Sequence, residues 1–152
     1  MSPIEKKLRD ALLSLIPDDM CILDDTTGDV HGGDDASCVA ILGDQANVGS
    51  YRVDFLLTID GSGPRLAVEC DGHDWHERTK QQAAYDRSRD RDLLKLGIRT
   101  ARFTGSEIHH SPERCAADVF DILRAMHEEH GELQVSWMAG AESERKRARA
   151  VA

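Results

Sequence analysis

The chain has 152 residues, 40% hydrophobic and 31% charged, with a formal net charge of -9. That composition suits one domain with a core of its own and excludes a disordered or fibrous chain. Nothing approaches the roughly 18 apolar residues that cross a bilayer, and "MSPIEKKLRD" lacks the apolar segment of a signal peptide, so the expected setting is the cytoplasm with no membrane partner. Cys21, Cys38, Cys70 and Cys115 are scattered with no CxxC pair, which points to reduced thiols. The acidic total argues against a bulk electrostatic hold on nucleic acid, but it is unevenly spread. Residues 18–35 hold seven aspartates and no lysine or arginine, whereas "RTKQQAAYDRSRDRDLLK" and "ERKRAR" are rich in cations.

Ile4, Leu8, Ala11, Leu12 and Leu15 recur at helical spacing, and Ser2, Pro3 and Glu5 fit an N-cap, a first-turn proline and a capping-box glutamate, predicting a helix from Pro3 to Ile16. "DDTTGDVHGGDD" has no periodicity and reads as a solvated acidic loop. "SCVAILGD", "YRVDFLLTID" and "RLAVECD" are rich in strand formers, with "GSGP" as the turn between the last two. A long helix is expected from about Trp75 to Leu96, stopped by Gly97, and "IRTARF" reads as a further strand. Ser111 and Pro112 open a helix in which Cys115, Val119, Ile122 and Met126 share a face, ending before Gly131; the remainder is expected to add a short strand and a frayed basic helix. The domain division is thus 1–130 for one domain and 131–152 for a C-terminal extension. The fold class is α/β, a mixed sheet flanked by helices, with the strands of "RLAVECD" and "IRTARF" parallel because a helix joins them.

Strand alternation puts Val53, Phe55 and Leu57 on one face and Asp54 on the other; in "RLAVECD" it puts Leu66, Val68 and Cys70 opposite Glu69 and Asp71. With the turn centred near Gly61 to Gly63, Asp54 falls across from about Cys70, and Glu69 and Asp71 become its diagonal neighbours within roughly 8 Å. Carboxylates gathered at a strand end repel one another and lose solvation, an arrangement a divalent cation would relieve; oxygen-only donors favour magnesium. Exposure to solvent or pairing with arginines is the alternative reading.

"YRVDF", "AVECDGHDWHE" and "YDRSRDRDLLKLGIRTARFTGSEI" together resemble the PD-(D/E)XK nuclease superfamily, most nearly its very-short-patch-repair and E-x-D-G-x-x-H endonuclease-like groups. The resemblance spans roughly residues 2–125. It implies a restriction-endonuclease-like αβββαβ core and a magnesium-dependent DNA endonuclease, with manganese able to substitute, acting in repair, restriction or mobile-element processing. The alternative is a catalytically inactive DNA-binding or protein-interaction module on the same fold. Asp54 matches the motif aspartate, with Val53 where proline would stand, and Glu69 matches the second acid. The motif lysine is missing, and Asp71 occupies its place. The implied metal ligands are Asp54, Glu69 and the carbonyl of Cys70. Candidates for the lysine's role are His76, His73 and Lys80; Asp71 and His76 would position or deprotonate water. Glu5 either caps its helix or leans toward the metal as the first-helix glutamate of the pattern.

On the long helix, 100° steps gather Lys80, Arg87 and Arg91 into one stripe that would either grip a DNA backbone or form ordinary surface pairs, with Tyr85, Leu93 and Leu96 as the apolar face. Arg89 falls on the core side and is expected to form an internal salt bridge, with Asp86 as its partner. Trp75 would stack on a base or pack into the core. DNA is the implied partner, and strict specificity would need loops, a homodimer or a partner protein.

Overall fold

The computed structural model describes residues 1–34, 36–72 and 79–151. Helix α1 spans Pro3–Ser14, slightly shorter than expected. The capping box is present: Ser2 Oγ accepts from Glu5 N–H at 3.3 Å, and the Glu5 carboxylate accepts from Ser2 N–H at 3.0 Å. Its inward stripe of Leu8, Ala11 and Leu12 is buried.

Six strands follow in the spatial order β2-β1-β3-β4-β5-β6. Strand β1 (Met20–Asp24) alternates buried and half-buried residues and lies parallel to β3 (Cys38–Val48). Strand β2 (Val30–Gly32) pairs antiparallel with β1, so the acidic stretch expected to be all loop contains a short edge strand. Three residues are too few for alternation to register in sequence; pairing with β1 creates this strand. Gly32 is required there, because at φ 114° an added Cβ would stand 2.4 Å from the Met20 carbonyl oxygen.

Strand β4 (Tyr51–Ile59) runs antiparallel to β3 and to β5 (Arg65–Asp71), and β5 runs parallel to β6 (Ile98–Thr104), as the intervening helix requires. The β4–β5 register pairs Phe55 with Val68 and Leu57 with Leu66. Extended by one residue, it brings Asp54 level with Glu69, one position from the expected Cys70. The expected alternation along β4 breaks down at Val53. Phe55 and Leu57 join the large core beneath α1, whereas Val53 packs with Ala67, Leu93 and Ile98 on the opposite face. The cause is Gln45 on β3, a non-glycine residue at φ 48°, between the paired positions Asp44–Phe55 and Ala46–Val53. Side chains change faces across Gln45 and Asp54, and a backbone conformation of this kind costs on the order of 1 kcal/mol or more.

Helix α2 (Lys80–Lys95) begins after Thr79, whose side chain accepts from Gln82 N–H while the Gln82 side chain accepts from Thr79 N–H. The expected start at Trp75 lies outside the described residues. Of the predicted apolar face only Leu93 is buried; Tyr85 and Leu96 are 61% and 49% exposed. Polar ties therefore do much to hold α2: Tyr51 Oη donates to Asp92 at 2.7 Å, and Arg102 donates to Asp90 at 2.7 Å. Because its apolar grip is slight, Thr79→Ala is expected to lower stability by about 1 kcal/mol in a denaturant melt.

A short helix α3 (Gly105–His110), absent from the sequence expectation, is capped by Thr104 and Glu107. Helix α4 (Pro112–Val151) buries Cys115, Ala116, Val119, Phe120, Leu123 and Met126. It continues through Gly131 where a stop and a short strand were expected; glycine inside a helix costs about 1 kcal/mol and does not forbid it. The architecture is α/β, a mixed six-stranded sheet flanked by helices, with α1, β3, β4, β5, α2 and β6 supplying the restriction-endonuclease-like core. Among the described residues no helix is long and apolar enough to cross a membrane.

Candidate active site

The face change at Gln45 and Asp54 makes the site. Turned aside from the regular ladder, Asp54 accepts from the Cys70 backbone N–H through Oδ2 at 2.7 Å, tying β4 to the end of β5. The Gln45 side-chain amide donates to Glu5 at 3.0 Å and lies 3.5 Å from Asp54 Oδ1. Glu5 thus completes its capping box and, through Gln45, is also linked to Asp54. Arg9, one turn further along α1, donates to Asp44 at 2.7 Å and to Asp24 at 2.6 Å, fixing the residue that precedes Gln45. Burial opposes ionisation of Asp24, but Arg9 and the Thr26 N–H overcome it and hold the carboxyl below its ordinary range.

Glu69 is only 6% exposed and is paired with Arg89, which reaches from the third turn of α2 and lies over the Tyr51 ring. The same Arg89 Nη2 donates to the Arg52 carbonyl at 2.7 Å. The expected internal salt bridge is therefore present, but its partner is Glu69 on the sheet in place of Asp86 on the same helix. Burial pushes the Glu69 carboxyl up to about 7; the charge of Asp54 adds to that rise and Arg89 opposes it. Asp71, in the place of the motif lysine, is met by Arg102 at 3.3 Å, and Arg102 also holds Asp90.

Cys70 packs with its side chain against the main core, and burial followed by the neighbouring acids raises its thiol well above the ordinary range, so the thiolate form that binds metals is disfavoured. Among the described residues no three His, Cys, Asp or Glu side chains form a ready metal cage. His73, Trp75 and His76 lie outside the described residues. Lys80, Arg87 and Arg91 are exposed along α2, and among the described residues none forms an ion pair.

Sequence reasoning missed Gln45, Arg102 and the partner of Arg89. The polar interruption "GDQAN" within β3 is the available signal for Gln45, since it breaks an apolar strand pattern next to Asp54's partner position. Among curated proteins, no match to the chain is found. A family model, REase_MTES_1575, matches residues 40–123, from near the start of β3 into α4, and so covers the core elements after α1. The chain belongs to this restriction endonuclease-like family, within a nuclease-type superfamily.

Proposed function

We propose that the chain is a magnesium-dependent endonuclease that hydrolyses phosphodiester bonds in DNA, with manganese able to substitute. The observation that carries this reading is that Gln45 links Glu5 on α1 to Asp54 on β4, where β4 leaves its regular ladder, while the charge of Asp54 acts on the buried Glu69 of the adjacent strand. The donors suit magnesium: hard carboxylate oxygens from Asp54 and Glu69, together with the Cys70 carbonyl, are enough for an ion that keeps several waters and needs no all-protein cage. When bound there, the ion lowers the pKa of a coordinated water and stabilises charge developing on the phosphate. Asp71 orients the water, His76 accepts its proton as a neutral imidazole, and Glu5 adds negative potential near Asp54. Lys80, Arg87 and Arg91, bare along one stripe of α2, neutralise backbone phosphates, and Trp75 stacks against a base.

A second reading is favoured by one observation: Glu69 and Asp71 are each already engaged by an arginine, Arg89 and Arg102. In that reading the acids are structural, and the domain binds DNA or a protein without cutting. Supercoiled plasmid incubated with magnesium or manganese separates the two. Nicking by the wild type that disappears in Asp54→Ala, together with loss of manganese binding in calorimetry, is the expected result. DNA retention without nicking, unchanged by Asp54→Ala, selects the inactive module.

A further inference from the structure

Where the restriction endonuclease-like pattern carries a lysine, this chain has Asp71, so the site lacks a cation at its expected strand position. We infer that Arg89 supplies that cation from α2 and contacts a phosphate of the bound DNA beside Glu69, an assignment that rests on the nuclease reading above. The geometry supports it in three ways. Arg89 is the cation in contact with Glu69, and Lys80, the candidate on the same helix, is exposed and makes no ion pair among the described residues. Both contacts to protein oxygen use Nη2, to Glu69 and to the Arg52 carbonyl, so Nε and Nη1 have no hydrogen-bond partner among the described residues. Finally, Nη2 is tied to both Glu69 and the Arg52 carbonyl, and the guanidinium lies over the Tyr51 ring at 5.9 Å, so its orientation is constrained before a ligand arrives.

A guanidinium is a planar fork whose free edge matches two phosphate oxygens, and a fork already oriented loses little entropy on binding. Arg89 can therefore keep Glu69 in place with one nitrogen and hold phosphate with the others. It also lies on the same helix as Arg87 and Arg91, so one rigid element would carry both the site's own cation and the outer backbone grip.

The test separates this role from a purely structural one by removing the charge that Arg89 balances. In Glu69→Gln no carboxylate remains to be neutralised, so comparing it with Glu69→Gln/Arg89→Gln isolates contact with DNA. In EDTA, over a salt titration on duplex DNA, the double variant is expected to bind more weakly and to lose roughly 0.9 from the slope of log affinity against log salt, the value of one phosphate contact. With magnesium, Arg89→Gln is expected to lower kcat on the order of 10²-fold, and Arg89→Lys, which keeps the charge without the fork, to recover part of it. Equal slopes in the two Glu69→Gln backgrounds, with a wild type that cuts DNA, overturn the Arg89 assignment alone. A folded wild type that neither binds nor cuts DNA overturns the nuclease reading and this inference together.

Discussion

Arg89→Ala is expected to lower the stability of the metal-free protein by about 1–3 kcal/mol above the Glu69 transition, because Glu69 must then either stay buried without its counter-ion or take up a proton. Glu69 is 6% exposed and the Arg89 side chain 11% exposed, so water reaches neither well enough to replace the lost partner. The guanidinium also closes the Arg52 carbonyl of β4, so its loss frees an acceptor at the same strand end. Helix α2 compounds the effect, since Leu93 is its only buried side chain among the described residues and its other ties to the sheet include Tyr51 with Asp92 and Arg102 with Asp90. Urea denaturation above the Glu69 transition measures the loss. Adding Glu69→Gln should recover more than half of it, since an amide in that position carries no charge to bury. A loss below 1 kcal/mol, or no recovery in the double variant, would mean that Glu69 is already neutral or solvated in the folded protein.

The core elements were legible in the sequence where local and tertiary preferences agree. Strands β3, β4 and β5 are long and rich in Val, Ile, Leu and Phe, and the capping residues at Ser2 and Glu5 fix the start of α1. Strands β1 and β2 were not legible, because five and three residues in an aspartate-rich stretch become a sheet edge only through pairing with β3 and with each other. The same limit applies inside the site. Asp54 and Glu69 follow from the pattern, but which face each takes does not, because alternation assumes an unbroken pleat and Gln45 breaks it with a left-handed backbone that non-glycine residues rarely adopt. Placing Arg89 on the inner side of its helix needed only the 100° step. Its partner depended on which residue of β5 lies beneath, which the β4–β5 and β5–β6 registers set. Asp86 was the nearer acid in sequence, and Glu69 is the acid the sheet delivers.

The metal-free protein is also expected to lose stability as pH rises from about 4.5 to about 7, and this loss should vanish in Glu69→Gln. Glu69 is shifted from 4.5 to about 7 on folding, chiefly by burial. Below 4.5 the carboxyl is protonated in both states, and its full contribution to stability is present. As pH rises, the unfolded chain ionises Glu69 freely while the folded protein resists, so the unfolded state gains. Above about 7 both are ionised and the contribution has gone, a change of at most about 3 kcal/mol at 1.36 kcal/mol per unit. Asp24 works in the opposite sense and in a more acidic window: Arg9 holds its folded pKa down, so its contribution is lost as pH falls. Subtracting the pH profile of Glu69→Gln from that of the wild type, both in EDTA, removes Asp24 and every other background group. The difference should fall through the window set by Glu69 and level off above it. A flat difference would show that Arg89 keeps Glu69 ionised throughout, in which case metal binding at this site should show no proton competition near neutral pH.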